Sequence, residues 1–432
     1  MTSSIKRTVA QRTINLFNQS MSMSSRTSVS SRSFSFFLIS FMLIAFIIIA
    51  AGAAQSATPP PQPSEGPGGS DYVCSRITNS VHGSGDLKYY LYEPAGPKPE
   101  TAPLIVFTHG WGASNPSLSY GAWINHLVRK GNIVVYPVYQ SAISMLNGTR
   151  YTSNCVKAVL DAIQVLEDSG HVKPDLDKFA TVGHSVGGVL AANIAAVALK
   201  SGLPAPRAVM SVEPGNTPMP PLENMSLIPS DALLITLVGD QDSVVGSKDA
   251  QKIFTQTSQI PLENKDYIML VSDNSGKPAL VADHFAPTCW ALQTGSISGI
   301  GGLTSSAGSA SFLSGFGSVP SDSSDTDADA DTDGVSASTE AMSIPANSGF
   351  DFGTKLGFGS NALDYYGTWK LFDALTDAAF YGKNREYALG NTPEQRYMGN
   401  WSDGNPVKEL IVTDDPESQP RINGRKGIFS GR

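Results

Sequence analysis

The sequence has few of the residues that bind metals or cross-link chains. Its 432 residues include only six histidines and three cysteines, Cys74, Cys155 and Cys289. Three cysteines permit one intramolecular disulfide and leave one thiol over, and no two of them have the C-x-x-C spacing of a zinc site. The G-x-G-x-x-G and P-loop motifs that bind nucleotides are also absent. We therefore expect neither a metal nor a cofactor.

Acidic side chains are missing from residues 1–57, which carry five basic residues, whereas the whole chain has a formal net charge of −8. The remainder of the chain is therefore strongly acidic. Phosphate binding needs a positive surface. This charge pattern argues against nucleic acid as a partner.

The N-terminal region has the composition of a targeting sequence. Residues 1–33 are rich in Ser, Thr and Arg and predict a disordered basic segment. Residues 34–54 are almost wholly apolar and long enough to cross a bilayer as a helix, and the small residues around their end suit a signal peptidase. We therefore interpret 34–57 as a signal peptide or transmembrane anchor, with an organelle transit sequence as a third interpretation.

Both a signal peptide and an anchor place the rest of the chain on the non-cytoplasmic side, because the basic flank stays inside. The protein is then secreted or attached to the membrane through residues 34–54. Three Asn-x-Ser/Thr sequons, at Asn147, Asn224 and Asn400, are compatible with glycosylation on that route.

The body of the chain alternates apolar runs with helical patterns. Residues 102–110 and 132–139 are solid apolar runs typical of strands buried on both faces. The alternation predicts an α/β fold, with a mostly parallel central sheet and helices on both faces. The predicted organisation is a Pro/Gly linker without packing potential at 58–70, a folded α/β domain at 71–292, a disordered acidic insertion at 293–345, a C-terminal helix and wrap at 346–412, and a flexible tail at 413–432.

The acidic insertion contains the letters of a calcium-binding loop. Asp329, Asp331, Asp333, Gly334 and Glu340 satisfy the pattern D-x-D-x-D-G-x5-E. No helical pattern flanks them, and an Asp-rich run of low complexity matches such a pattern by accident. We interpret this stretch as a solvated acidic run.

Residues 179–200 have the order strand, sharp turn, helix, with G-x-S-x-G at 183–187 as the turn. Such a turn raises the Ser185 hydroxyl above the sheet edge, and the helix directs its free N–H groups toward developing negative charge. Ser185 is therefore the predicted nucleophile. The alternative is an ordinary glycine-rich connection of a doubly wound fold.

A serine nucleophile needs a base and an acid that orients the base. His284 follows the last predicted strand in a loop that can reach over the sheet edge, so it is the predicted base. Asp242 lies in the loop after the strand between Ser185 and His284 and is the preferred acid; Asp240 is the second choice and Glu213 the third. The order Ser, Asp, His along the chain is that of α/β-hydrolases.

The tetrahedral intermediate needs two N–H donors aimed at its oxyanion. We expect one from Val186, directly after the nucleophile, and the other from the turn at 109–112, with the Trp111 N–H as the choice. The Trp111 indole would then line the acyl side of the pocket.

The motifs HGWGAS, GHSVGG, DQDSVV and DHFAP together resemble those of α/β-hydrolases over residues 72–290. The branch they resemble includes dienelactone-hydrolase-like enzymes, cutinase-like polyester hydrolases, chlorophyllases and platelet-activating-factor acetylhydrolases. Dienelactone hydrolases proper carry a Cys nucleophile, whereas this chain has Ser185. The acidic insertion and the ordered tail also depart from most members of the branch.

The resemblance implies the α/β-hydrolase fold for residues 71–292 and a serine carboxylesterase acting on a small-molecule, lipid or polymer ester. The alternatives are a non-catalytic binding protein on the same fold, and an acyltransferase or thioesterase with the same machinery. A peptidase is less favoured, because no separate cap domain is visible between the predicted strands.

Overall fold

The computed structural model describes residues 56–141, 147–215, 220–288, 342–344, 359–419 and 422. Those from Ala57 onward belong to one compact unit. The predicted basic segment, the apolar segment 34–54, the calcium-loop pattern and Cys289 lie outside the described residues. Within the described ranges, no helix is long and apolar enough to cross a membrane.

Ten strands form one sheet in the order β10-β8-β7-β6-β5-β3-β4-β2-β1-β9. Their bounds are β1 (Arg76–His82), β2 (Tyr89–Ala95), β3 (Thr101–Thr108), β4 (Ile133–Pro137), β5 (Lys173–His184), β6 (Pro206–Val212), β7 (Leu233–Gly239), β8 (Lys265–Leu270), β9 (Met342–Ile344) and β10 (Ile411–Thr413).

The centre of the sheet is parallel and its two borders are antiparallel. Strands β4, β3, β5, β6, β7 and β8 pair in parallel. The pairs β1–β2, β2–β4, β1–β9 and β8–β10 are antiparallel. The central strands are buried almost throughout, as the solid apolar runs predict for a sheet covered on both faces.

The helices are α1 (Pro116–Ser119), α2 (Gly121–Arg129), α3 (Tyr151–Leu166), α4 (Val186–Val197), α5 (Lys248–Gln256), α6 (Lys370–Tyr381) and α7 (Pro393–Arg396), with a π-helical turn (Leu363–Trp369) leading into α6. Short 3₁₀ turns lie at Gly85–Leu87, Gly148–Arg150, Leu199–Ser201, Met225–Leu227, Leu262–Asn264, Arg385–Tyr387 and Pro416–Ser418. Residues of α2 and α6 share one apolar cluster with the sheet, and residues of α3 and α4 share another. The predicted fold class is confirmed.

Residues 57–70 differ from the predicted linker, because they pack on the body. Ala57 is buried and its carbonyl accepts a hydrogen bond from the Lys277 N–H. The Gly68 N–H donates to Asp373 Oδ2 at 2.8 Å, in a buried position. A segment poor in apolar side chains is held here through its backbone groups, which composition does not reveal.

The C-terminal region covers the β8 end of the sheet. Asp273, in the loop after β8, accepts hydrogen bonds from the Trp401 indole N–H and the Lys408 N–H, each at 3.0 Å. Strand β10 extends the sheet beyond β8. Residues 342–344, which we predicted to be disordered, form β9 against β1, since a backbone ladder needs no apolar side chains.

Candidate active site

The predicted nucleophile, Ser185, lies in a sharp turn between β5 and α4. Its backbone has φ 61° and ψ −125°, and residues with a side chain rarely adopt such a left-handed φ. The Ser185 N–H donates to the Val212 carbonyl at 3.0 Å, and its own carbonyl accepts from the Gly215 N–H at 3.2 Å. Strain of this kind costs about 1–3 kcal/mol and persists only where the surroundings fix it.

Two glycines make this turn possible, because the chain passes very close to them. A Cβ on Gly187 would lie 2.1 Å from the carbonyl oxygen of Thr108, and one on Gly183 would lie 2.2 Å from the carbonyl oxygen of Gly187. Neither position accepts a larger residue without moving backbone. The G-x-S-x-G letters therefore follow from close packing of the turn against β3.

Ser185, His284 and Asp242 form one hydrogen-bonded line. The Ser185 hydroxyl lies 2.9 Å from His284 Nε2, and His284 Nδ1 lies 2.9 Å from Asp242 Oδ2. Asp242 has no solvent exposure, and its Oδ1 accepts the N–H groups of Val244 and Val245. With both carboxylate oxygens engaged, the Nδ1–H tautomer of His284 is favoured, which leaves Nε2 free to accept the serine proton.

The two alternative acids occupy different places. Asp240 accepts a hydrogen bond from the Ser272 hydroxyl at 2.5 Å. Its side chain therefore links the loop after β7 to the loop after β8. Glu213, at the end of β6, has its Oε2 3.7 Å from His284 Nδ1. Of the three carboxyl groups that the sequence suggested, only Asp242 stands at hydrogen-bond distance from His284.

The predicted oxyanion turn lies beside the serine. A Cβ on Gly110 would be 3.3 Å from Ser185 Cβ, so the turn after β3 touches the nucleophile. The Trp111 side chain packs at the edge of the apolar cluster that contains Tyr151. Val186 is the first residue of α4, and the N–H groups of a first helical turn have no partner within the helix.

Behind the triad residues lies a second buried network that we did not anticipate. The Gly110 N–H donates to the Tyr120 hydroxyl at 3.0 Å, and Tyr120 lies 2.8 Å from His184 Nδ1. His184 Nε2 in turn lies 3.2 Å from Glu213 Oε2. In the sequence, His184 is visible only as part of the glycine turn, and nothing marks Tyr120, which caps the distant helix α2.

Burial sets the protonation of this network. It lowers the pKa of His184 well below its usual value, with a further contribution from nearby His284, so the ring is neutral. Burial also raises the pKa of Glu213 well above its usual value, helped by the charges of Asp242 and Asp283. Burial therefore favours the protonated, neutral form of Glu213.

His184, Glu213 and His284 offer ligating atoms within 4.8 Å of one another, a grouping that could hold a metal ion. The hydrogen bond from His184 to Glu213, and that from His284 to Asp242, account for the same arrangement without one. We therefore interpret this cluster of described residues as a hydrogen-bond network.

A protein-family model described as Chlorophyllase matches residues 94–219. The matched range includes Trp111, Ser185 and Val186 and ends before Asp242 and His284. No curated protein matches the chain.

The parallel sheet, the strained serine turn between a parallel strand and a helix, and the matched region define the class of this protein. The chain has the α/β-hydrolase fold, and its residues 94–219 match a family of that fold. This confirms the resemblance drawn from its motifs and indicates a hydrolase of the esterase type in general.

Proposed function

We propose that the chain is a serine carboxylesterase that works through an acyl-enzyme on Ser185, His284 and Asp242. The observation that carries the proposal is the line of two 2.9 Å hydrogen bonds ending at a serine in strained backbone. A serine hydroxyl is a weak nucleophile unless a base takes its proton, and the line supplies that base together with the group that orients it.

In the first step, Ser185 Oγ attacks the ester carbonyl carbon while His284 Nε2 takes the hydroxyl proton. Asp242 stabilises the resulting imidazolium through Nδ1–H. The N–H groups of Val186 and Trp111 would receive the oxyanion, each contributing about 2.7–4 kcal/mol by comparison with a measured donor of this kind. The imidazolium then protonates the leaving alcohol, and the acyl group stays on Ser185.

In the second step, His284 takes a proton from water, which attacks the acyl carbon. The oxyanion forms again at the same two N–H groups, and its collapse returns the proton to Ser185 and releases the acid. Neither step needs a metal or a cofactor. The description of the matching family makes chlorophyll one substrate to include among the esters tested.

We further propose that the enzyme acts on the non-cytoplasmic side of a membrane, either secreted or anchored through residues 34–54. The support for this location is the composition of residues 1–57. Fractionation of cells that express the full chain, with protease protection of intact vesicles, would test it. A hydrolase domain digested from the cytoplasmic side would contradict the proposal.

The function is tested by labelling the purified full chain with a fluorophosphonate, beside Ser185→Ala. Thr181→Ala, which removes a buried hydroxyl within β5, is the matched control. We expect labelling of the wild type and the control but not of Ser185→Ala, and hydrolysis of esters in a panel that varies the acyl chain and includes chlorophyll. A folded wild type that resists the label would refute the triad and favour a binding protein on this fold.

A further inference from the structure

Glu213 is buried as completely as Asp242, yet the proposed reaction does not use it. Its side chain has no solvent exposure, and within the described chain its Oε1 has no hydrogen-bond partner. A buried carboxyl with an oxygen left over costs free energy. Such a group is expected to have a role that offsets the cost.

The backbone around Glu213 is built to aim this carboxyl at the site. Glu213 has φ 43°, one of five residues other than glycine with positive φ among those described, and strained backbone of this kind clusters at functional sites. Gly239 leaves room for both the Ala282 carbonyl and this side chain, since a Cβ there would lie 2.4 Å from the Ala282 oxygen and 2.7 Å from Glu213 Oε1. The chain thus accepts strain at Glu213 itself to place this group.

The position reached is the Nδ1 side of the His284 ring. Glu213 Oε2 lies 3.7 Å from the nitrogen that Asp242 holds at 2.9 Å. His184 keeps Glu213 there: the Tyr120 hydroxyl, which accepts the Gly110 N–H, lies 2.8 Å from His184 Nδ1, and His184 Nε2 lies 3.2 Å from Glu213 Oε2.

We propose that Glu213 is a second carboxyl partner of His284, which accepts the Nδ1–H hydrogen bond when Asp242 is removed; this inference rests on the function proposed above. Glu213 is a positioning residue, because it acts through His284. In the intact protein burial favours the protonated form of Glu213, and Asp242 holds the ring.

Without Asp242, Glu213 must first release its proton to solvent. Its carboxylate then accepts the hydrogen bond from Nδ1–H, while Nε2 still takes the proton of Ser185 and passes it to the leaving alcohol. The titratable groups that face Glu213 come from three elements. They are His184 from β5, Asp242 from the loop after β7, and Asp283 and His284 from the loop after β8. Removal of the Asp242 charge favours ionisation of Glu213.

The test is a double-mutant cycle in the full chain, with wild type, Asp242→Ala, Glu213→Gln and the double variant. Glutamine keeps the size of the side chain and groups that can hydrogen-bond to His184, but it cannot become a carboxylate. The readouts are kcat on a short chromogenic ester as a function of pH, and fluorophosphonate labelling. We expect Asp242→Ala to lose about 10²-fold and the double variant about 10⁴-fold, the latter close to the loss recorded when a triad acid has no substitute.

The pH profile separates positioning from a structural role. The residual activity of Asp242→Ala should rise with pH as Glu213 ionises, and the double variant should lack that rise. A loss of about 10⁴-fold in Asp242→Ala that Glu213→Gln does not increase, or equal factors for Glu213→Gln in both backgrounds with unchanged profiles, would overturn the inference.

The cycle also distinguishes this inference from the proposed function. A wild type that the fluorophosphonate does not label refutes the function, whereas a labelled wild type with an additive cycle refutes only the role of Glu213. Should Asp242→Ala fail to fold, Asp242→Asn keeps the shape of the side chain and permits the same comparison with and without Glu213→Gln.

Discussion

Two buried histidines in this molecule each contact an aspartate, in two different regions. At the sheet edge, His284 Nδ1 lies 2.9 Å from Asp242. Beneath the C-terminal wrap, His126 Nε2 lies 2.8 Å from Asp373. Both rings are at least nine-tenths buried. Distance and burial therefore do not distinguish a catalytic pair from a structural one.

The difference lies at the other ring nitrogen. His284 presents Nε2 to Ser185, whose backbone is strained and whose hydroxyl lies at the end of a parallel strand. His126 presents Nδ1 to the Tyr72 hydroxyl at 3.2 Å, and its ring stacks on Trp369 with centroids 4.5 Å apart. The first ring can exchange a proton with a reacting group, whereas the second joins three parts of the chain.

The largest difference between the two regions should appear when the His284 ring and the His126 ring are removed in separate variants. We expect His284→Ala to lower kcat on an ester by about 10⁴–10⁶-fold, because no other group takes the serine proton. His126→Ala should keep kcat within about threefold per folded molecule and lower the free energy of unfolding by about 3 kcal/mol, since it leaves Asp373 and Tyr72 short of a partner in a cavity. Ester kinetics and denaturant unfolding of both variants measure this. Equal loss of kcat in folded His126→Ala would contradict the distinction.

A second prediction concerns the strained turn that only one of the two histidines faces. Gly187→Ala would place a Cβ 2.1 Å from the Thr108 carbonyl oxygen, so we expect it to destabilise the protein by at least about 3 kcal/mol or to prevent folding. Gly359→Ala is the control, because a Cβ there meets nothing within 4 Å, and its effect should stay within about 0.5 kcal/mol. Thermal unfolding measures both. A stable Gly187→Ala would show that the turn is less confined than its contacts indicate.

A third prediction tests whether a carboxylate with a purely structural role, Asp273, anchors the C-terminal wrap. Burial by itself raises the pKa of Asp273, but hydrogen bonds from Ser275, Trp401 and Lys408 outweigh it and lower the pKa to about 2. A depressed carboxyl pKa contributes stability that is complete above the unfolded value of 3.8 and is lost as the pH falls through about 2.

Asp273→Asn should therefore lower the free energy of unfolding by about 1–3 kcal/mol near neutral pH and flatten its decline between the two pKa values. Urea unfolding at a series of acidic pH values measures it. Asp403→Asn, on an exposed aspartate of the same wrap whose carboxylate accepts hydrogen bonds only from nearby Asn405, should change both quantities much less. The same acid dependence in wild type and Asp273→Asn would contradict the assignment.

The fold was predictable where it depends on side-chain pattern. Solid apolar runs alternating with helical segments indicated the parallel sheet and its cover on both faces, because burial on two faces leaves no polar alternation. The packing of residues 57–70 and the strands β9 and β10 were not predicted. Each is held through backbone hydrogen bonds or short antiparallel pairing, which the amino-acid sequence specifies only weakly.

The candidate site also has a part that the sequence predicts and a part that it does not. Ser185, Asp242 and His284 were suggested by their places after the parallel strands β5, β7 and β8, since the carboxyl ends of such strands meet at one edge. Their catalytic roles stay predictions. The network of Tyr120, His184 and Glu213 could not be foreseen. It joins a helix cap, the end of β5 and the end of β6, and only the folded chain brings these together.

The smallest predicted effect concerns two exposed aromatic side chains, one in each region. Phe285, next to His284, is 48 % exposed, with its ring 5.7 Å from the His284 ring, and Tyr381, at the end of α6, is 52 % exposed. If the site accepts apolar esters, substrate covers Phe285 and not Tyr381. We expect Phe285→Ala to raise KM for long-chain esters by about tenfold, the equivalent of about 1.4 kcal/mol of lost burial, and to affect short-chain esters much less. Tyr381→Ala should change neither. Because the two side chains match in exposure, an equal effect of both substitutions would mean that surface hydrophobicity, and not the position beside His284, governs the binding of apolar substrate.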